Sequence, residues 1–318
     1  ASTPTERKDG EPLLLATNKQ IGNTDYYRIP AIAQAPNGWI LAAWDLRPKS
    51  AGGRAQPELD RAAHLQRTGG KSVGDAGIRG AGTQRHQQIR LLRPVLCGRR
   101  GSRQDLPVLR EIVRSGYFGS VLGVEDARNV LQAVVMESDD NGATWSEPRN
   151  ITKDITKGHE DEWKSRFASS GHGIQLKYGQ YKGRLIQQYA VRTTSNTNIA
   201  VSVYSDDHGK TWKAGNPVTE ANMDENKVVE LSDGRVMLNS RPGAAGYRRV
   251  AISEDGGVNY GPIKSETQLP DPNNNAQITA RVPERPEGSA KAKVLLYSAR
   301  VRATRAVRTV SCVFHSMT

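Results

Sequence analysis

One eight-residue pattern occurs three times in this chain and constrains its architecture more than any other feature. Ser138-Asp139-Asp140-Asn141-Gly142-Ala143-Thr144-Trp145 returns as Ser205-Asp206-Asp207-His208-Gly209-Lys210-Thr211-Trp212 and, weakened, as Ser253-Glu254-Asp255-Gly256-Gly257-Val258-Asn259-Tyr260. Each copy follows one short apolar run and precedes another, so S-x-D-x-G-x-T-W is expected at a hairpin turn. There the Asp can accept turn N–H bonds, the Gly can take positive φ, and the Trp can pack beneath neighbouring strands. A single copy could be an ordinary hairpin, whereas three in register mark a repeating sheet unit. The copies begin 67 and 48 residues apart, room for one four-stranded sheet plus loops of variable length. A β-propeller is the economical architecture.

The rest of the chain agrees. Apolar runs of three to seven residues recur at Ala31 to Ala35, Trp39 to Trp44, Leu131 to Met136, Leu185 to Val191, Ile199 to Tyr204, Lys227 to Leu231, Val236 to Asn239, Val250 to Ile252 and Val294 to Tyr297. Turn signals such as Pro36-Asn37-Gly38, Asp140-Asn141-Gly142 and Ser232-Asp233-Gly234 separate consecutive runs. Many short antiparallel strands joined by tight turns make an all-β fold, not a βαβ one.

Charge is the feature that argues for another function. The 318 residues carry 45 Lys+Arg against 33 Asp+Glu, a formal +12, which by itself suggests a nucleic-acid or acidic-surface partner. Its distribution removes that reading. Residues 51–116 hold 13 basic and 5 acidic side chains, and 298–318 hold 4 basic and none acidic, leaving 28 of each sign elsewhere. The 51–116 stretch has no aromatic residue to stack on a base, so no nucleic-acid partner is expected. No run of about 18 apolar residues is present, so no membrane-spanning helix is expected. The first residues, Ala1 to Gly10, are polar instead of signal-like, which reads as a soluble, processed chain. Cys97 and Cys312 allow at most one bridge and have no metal-type spacing. Neither a metal nor another cofactor is expected.

Tyr27-Arg28-Ile29-Pro30 ahead of a strand, followed by the repeated Asp boxes, resembles the bacterial exo-sialidase (neuraminidase) family. The similarity extends through Arg166-Phe167-Ala168-Ser169-Ser170-Gly171-His172-Gly173-Ile174-Gln175, Met223-Asp224-Glu225-Asn226-Lys227, Leu238-Asn239-Ser240-Arg241 and Asp271-Pro272-Asn273-Asn274-Asn275. It covers about 1–50 and 117–297. The resemblance implies a single six-bladed catalytic propeller over 1–318, its last blade incomplete in this chain. It implies an enzyme that removes terminal α-linked sialic acids from glycoproteins, glycolipids and oligosaccharides with retention, through a tyrosine nucleophile instead of the usual carboxylate. A secreted or cell-surface bacterial protein acting on sialylated glycoconjugates is expected, with its oligomeric state open.

The same resemblance implies the site. Sialic acid carries a permanent carboxylate, and planar guanidinium forks can grip it bidentately at any working pH. Arg28 corresponds to the first of three carboxylate-binding arginines and Arg241 to the second, with Arg305 the nearest match to the third. Glu225 corresponds to the catalytic glutamate that pairs with the tyrosine, accepting the phenol proton so that a weak nucleophile becomes reactive. Arg47 corresponds to an additional pocket arginine and Asn274 to an amide touching the sugar's substituents. The acid aspartate, a Phe-Ser-Asp-Pro-Ser motif and the tyrosine nucleophile are absent from the chain.

Two of these losses fall inside 51–116. Back-translating Arg90 to Arg114 with permitted codons and reading one base later yields Gly-Phe-Ser-Asp-Pro-Ser followed by a strand-like run. The same offset over Gly53 to Gln66 yields an aspartate where the acid belongs. The segment is therefore read as frame-shifted, and the Arg-rich 298–318 tail as a second shift leading to early termination. As written, the chain is expected to fold poorly around 51–116 and to hydrolyse little, with a sialic-acid-binding propeller of impaired catalysis as the alternative. A different Asp-box propeller is disfavoured because Arg28, Glu225 and Arg241 all stand on their motifs.

Overall fold

The computed structural model describes residues 26–35, 40–47, 59–65, 67–68, 72–73, 95–96, 116–127, 129–141, 145–147, 149–220, 222–280, 285–300 and 310–316. The strands follow the chain as consecutive antiparallel sheets. β1 (Tyr26–Gln34), β2 (Ile40–Arg47) and β3 (Leu59–Leu65) form the first. β4 (Arg67–Thr68) and β5 (Ser72–Val73) make a two-stranded ladder. β6 (Val95–Leu96), β7 (Ala133–Val135) and β8 (Arg149–Asn150) form the next sheet. Beyond these strands, most of 51–116 lies outside the described residues.

In the following sheet, β9 (Trp163–Ala168) and β10 (Ile174–Gln175) share one edge of β11 (Leu185–Thr193). β12 (Asn198–Ser205) and β13 (Lys213–Ala214) complete it. Then come β14 (Asp224–Glu230), β15 (Val236–Arg241), β16 (Gly246–Ser253) and β17 (Lys264–Asp271) in spatial order. β18 (Gln277–Ala280), β19 (Val294–Arg300) and β20 (Val310–Ser316) follow. Helix is confined, among the described residues, to α1 (Gly116–Gly119) and α2 (Thr152–Thr156). Every apolar run named from the sequence coincides with a strand. β17 was not among them because it is an outer edge strand with mostly exposed, polar residues. The turn at Pro36-Asn37-Gly38 lies outside the described residues.

The Asp boxes act as the sequence suggests. In the second copy Ser205 Oγ donates to Asp207 Oδ1 at 2.8 Å, Thr211 N–H to the same oxygen at 2.8 Å, and Thr211 Oγ1 to Asp207 Oδ2 at 2.6 Å. His208 (φ 64°) and Gly209 (φ 82°) turn the chain. Trp212 is buried in a cluster with Trp163, Tyr189, Val201 and Val203, its indole N–H on Gly209 C=O. The third copy keeps this geometry with other residues: Asn259 replaces the threonine on Asp255, and Tyr260 reaches back to Ser202 and Gln188 of the preceding sheet. In the first copy Ser138 Oγ bonds Asp140 Oδ1 at 2.9 Å; residues 142–144 lie outside the described residues.

Arginines tie each box to the next. Arg149, paired with Glu137, donates to Gly209 C=O of the second box at 2.5 Å. Arg184 holds Asp206 of the second box and donates to the Asp255 and Gly256 carbonyls of the third, sandwiched between the rings of Tyr181 and Tyr204. β11 contacts β14 and β14 contacts β18, so strands of three successive sheets lie together.

Candidate active site

Two first strands are bulged near their N-terminal ends. From Asp224 to Lys227, β14 advances three residues while β15 advances two, Arg241 to Asn239. From Arg28 to Ala31, β1 does the same against Asp45 to Ala43 of β2. In each bulge a non-glycine residue takes left-handed backbone, Glu225 at φ 38° and Ile29 at φ 51°. Such a conformation costs about 1–3 kcal/mol and persists only where the surroundings enforce it. Bulges of this kind re-aim side chains beside functional sites.

The bulge in β14 brings Glu225 to Arg241. Arg241 Nη1 lies 2.9 Å from Glu225 Oε2, off the hydrogen-bonding direction, and Nη2 is bound to Asp224 Oδ2. Asp224 also accepts the Glu225 N–H through Oδ1 at 2.7 Å. A guanidinium has five N–H donors, so N–H groups remain for a ligand after both acids are served, and the Arg241 side chain is 22% exposed.

Burial pushes the Glu225 carboxyl above its ordinary value; Arg241 opposes this most, Asp224 reinforces it, and Lys227 and Arg248 oppose it further. Lys227, whose Nζ donates to Ser170 C=O, is pushed down to about 7, mainly by burial and against the pull of Glu225. A carboxyl raised by burial and steadied by cations is a competent proton acceptor near neutrality.

The other expected residues are placed as follows. Arg28 stands opposite Asp45 and Arg47 opposite Tyr26. Both therefore sit at the end of the β1–β2 hairpin that corresponds to the Glu225 and Arg241 end of β14–β15. Their backbone stations alone are described. Asn274 lies in the turn between β17 and β18, its N–H on Asp271 Oδ1 at 2.8 Å and its C=O 3.5 Å from Arg248 Nη1. Arg305 lies outside the described residues; it follows β19, the second strand of its sheet, as Arg241 ends β15.

Several neighbours escaped the sequence reading. Asp224 was visible only as part of a motif, and nothing marked it as the second acid on Arg241. Arg192, near the C-terminal end of β11, donates to Asn198 Oδ1 at 3.3 Å and lies 5.3 Å from the centre of the Phe118 ring. Tyr117 donates to the same Asn198 oxygen at 3.1 Å and packs edge-on against Phe167. Burial pushes its phenol well up, Asp224 adds to this, and Arg192 opposes it. Among the described residues no group of three or more His, Cys, Asp or Glu could hold a metal ion.

Comparison with known proteins places these residues in a family. The model of the BNR repeat-like domain matches residues 118–285. A sialidase of Micromonospora viridifaciens is 47% identical over 298 residues, covering 91% of this chain and 44% of its own length. A sialidase of Clostridium perfringens is 27% identical, covering 79% of this chain and 64% of its own. The chain thus spans about half the length of the curated relatives it matches. Among solved structures, a Hadza microbial sialidase superposes with a TM-score of 0.61 at 23% identity, over 86% of this chain and 53% of that one. The intramolecular trans-sialidase from Ruminococcus gnavus superposes with a TM-score of 0.62 at 17% identity, over 90% and 79%. These two likenesses concern the all-β fold.

Proposed function

The chain belongs to the BNR repeat-like domain family, and on that premise we propose that it is the catalytic propeller of an exo-sialidase. It is a secreted or cell-surface bacterial enzyme whose substrates are terminal α-linked sialic acids of glycoproteins, glycolipids and oligosaccharides, and its sheets are blades of a six-bladed ring. The observation that carries the reading is the Arg241–Glu225 contact at a bulged strand end. It places a guanidinium with spare donors beside a buried carboxyl of raised pKa.

In this reading the sugar carboxylate takes the free N–H groups of Arg241, and Arg28 and Arg305 are the two further carboxylate-binding arginines that the family resemblance assigns. Arg47 and Asn274 contact the rest of the sugar. Glu225 takes the proton of a tyrosine hydroxyl as the tyrosine oxygen attacks the anomeric carbon and the glycosidic C–O bond breaks, the aglycone oxygen leaving with a proton from an acid; water then displaces the tyrosine with retention. Neither that tyrosine nor that acid stands at its motif in the chain as written. The absence of both groups from their motifs favours a second reading, a sialic-acid-binding propeller of impaired catalysis.

Turnover of a fluorogenic sialoside, measured with calorimetric binding of free N-acetylneuraminic acid, tests both. Turnover abolished by Glu225→Gln supports the enzyme. Binding without turnover selects the second reading, and absence of both refutes the pair.

A further inference from the structure

Arg248 on β16 is fully buried, as is its partner Asp271 at the end of β17, with Nη1 and Oδ2 2.6 Å apart. Such a pair pays desolvation for both ions, and apolar residues of similar volume often serve stability as well. The remaining donors of Arg248 show what this pair does. Nε donates to Asn239 Oδ1 at 2.6 Å and Nη2 to Asn239 C=O at 3.1 Å. Nη2 also faces Glu225 C=O at 3.4 Å, and Nη1 faces Asn274 C=O at 3.5 Å.

These contacts fall on three stations of the site. Asn239 lies two residues before Arg241 on β15. Glu225 and Asn226 together face the single residue Ser240 of β15, so neither has a register partner in the ladder. Arg248 reaches the carbonyl of Glu225 there. Asp271, held by Arg248 through one oxygen, uses the other to accept the N–H of Asn274. A single planar fork thus links the backbone of Glu225, the strand that ends in Arg241, and the turn that carries Asn274. A lysine ammonium, a single point on a flexible stem, cannot span them.

We propose that Arg248, braced by Asp271, is a positioning residue that holds Glu225 in its left-handed backbone setting in register with Arg241 and Asn274. The proposal rests on the reading of Glu225 as the tyrosine's proton acceptor. Arg248 touches no substrate; it acts through the backbone of Glu225.

The test uses Arg248→Lys, which keeps the charge but not the fork, and the paired variant Arg248→Met with Asp271→Leu, which removes both charges at similar volume. Folding is checked by circular dichroism and thermal unfolding. The titration of Glu225 is followed by NMR of isotope-labelled glutamate carboxyls, its signal assigned by its absence in Glu225→Gln. In a folded variant the Glu225 midpoint should move by about half a pH unit or more. Sialoside turnover should fall about tenfold in kcat with KM within about threefold. An unchanged Glu225 titration in folded Arg248→Lys, or in the paired variant where the lysine variant does not fold, overturns the proposal. A wild-type chain without turnover bears on the proposed function alone, because the titration still decides the positioning role.

Discussion

Replacing Glu225 by Gln should change binding and turnover in opposite directions. The side chain is 13% exposed and its Oε2 lies 2.9 Å from Arg241 Nη1. A ligand carboxylate on the free edge of the same guanidinium would sit about 6 Å away, where two unit charges at an effective dielectric of about 20 repel by about 3 kcal/mol. Solvent and salt reduce this to about 1 kcal/mol, or about fivefold in Kd. Gln keeps the volume and removes the charge, so N-acetylneuraminic acid should bind Glu225→Gln about fivefold more tightly at about pH 8. Turnover should fall by about 100-fold, the usual scale for loss of a general base. Because the Glu225 pKa is raised in the fold, the wild-type carboxyl gains its proton sooner than a free glutamate does when the titration is repeated at lower pH. The affinity difference between the two proteins should then shrink. Isothermal calorimetry at both pH values reads this directly. Weaker binding by the variant at the higher pH, or a difference that widens on acidification, would refute the reasoning.

Further predictions concern the frame that carries the site. Arg184, with a side chain 8% exposed, donates 3.1 Å hydrogen bonds to two carbonyls of the third Asp box and lies 4.4 and 4.5 Å from two tyrosine rings. Arg184→Met should cost about 3 kcal/mol, seen as a lower urea midpoint with the same slope. In Asp207, burial alone would raise the carboxyl, but hydrogen bonds from Thr211 and Ser205 outweigh it and bring the value from 3.8 to about 2. A depressed folded value means stability present above 3.8 and lost as pH falls towards 2. Asp207→Asn should flatten that part of the acid-unfolding curve, and an unaltered acid limb counts against the box as a stabilising device. Lys227 runs the other way: its value falls from 10.5 to about 7, so the unfolded chain binds the extra proton between those limits and stability rises with pH across them. Lys227→Met should gain more in urea midpoint at about pH 6 than at about pH 10.

The legible parts of this molecule are those whose physics is local. An Asp box is legible because its Ser, Asp, Gly and Thr bond to one another within eight residues, as Ser205 to Thr211 do. The inner strands are legible because β11 and β12 are buried along almost their whole length. β17 was missed because an outer strand has no apolar face to announce it. Within the site, Glu225 and Arg241 were named from motifs, and the fold joins them across 16 residues of sequence through a bulge. The Arg248–Asp271 pair has no such signature. Its partners stand 23 residues apart, in stretches whose charges look solvated until the sheet closes over them. Asp224 is hidden for a related reason, since a carboxylate next to Glu225 reads as one more surface acid until Arg241 is placed against it.

In the proposed function Arg241 is the receptor for the sugar carboxylate. Calorimetric titration of wild-type and Arg241→Met chains with N-acetylneuraminic acid and with the neutral sugar N-acetylmannosamine measures this most directly. The acidic sugar should bind the wild type, lose at least about tenfold in affinity with Arg241→Met, and outcompete the neutral sugar by a margin that disappears in the variant. Equal affinity of wild type and variant for the acidic sugar, or no preference of the wild type for it, would contradict the account.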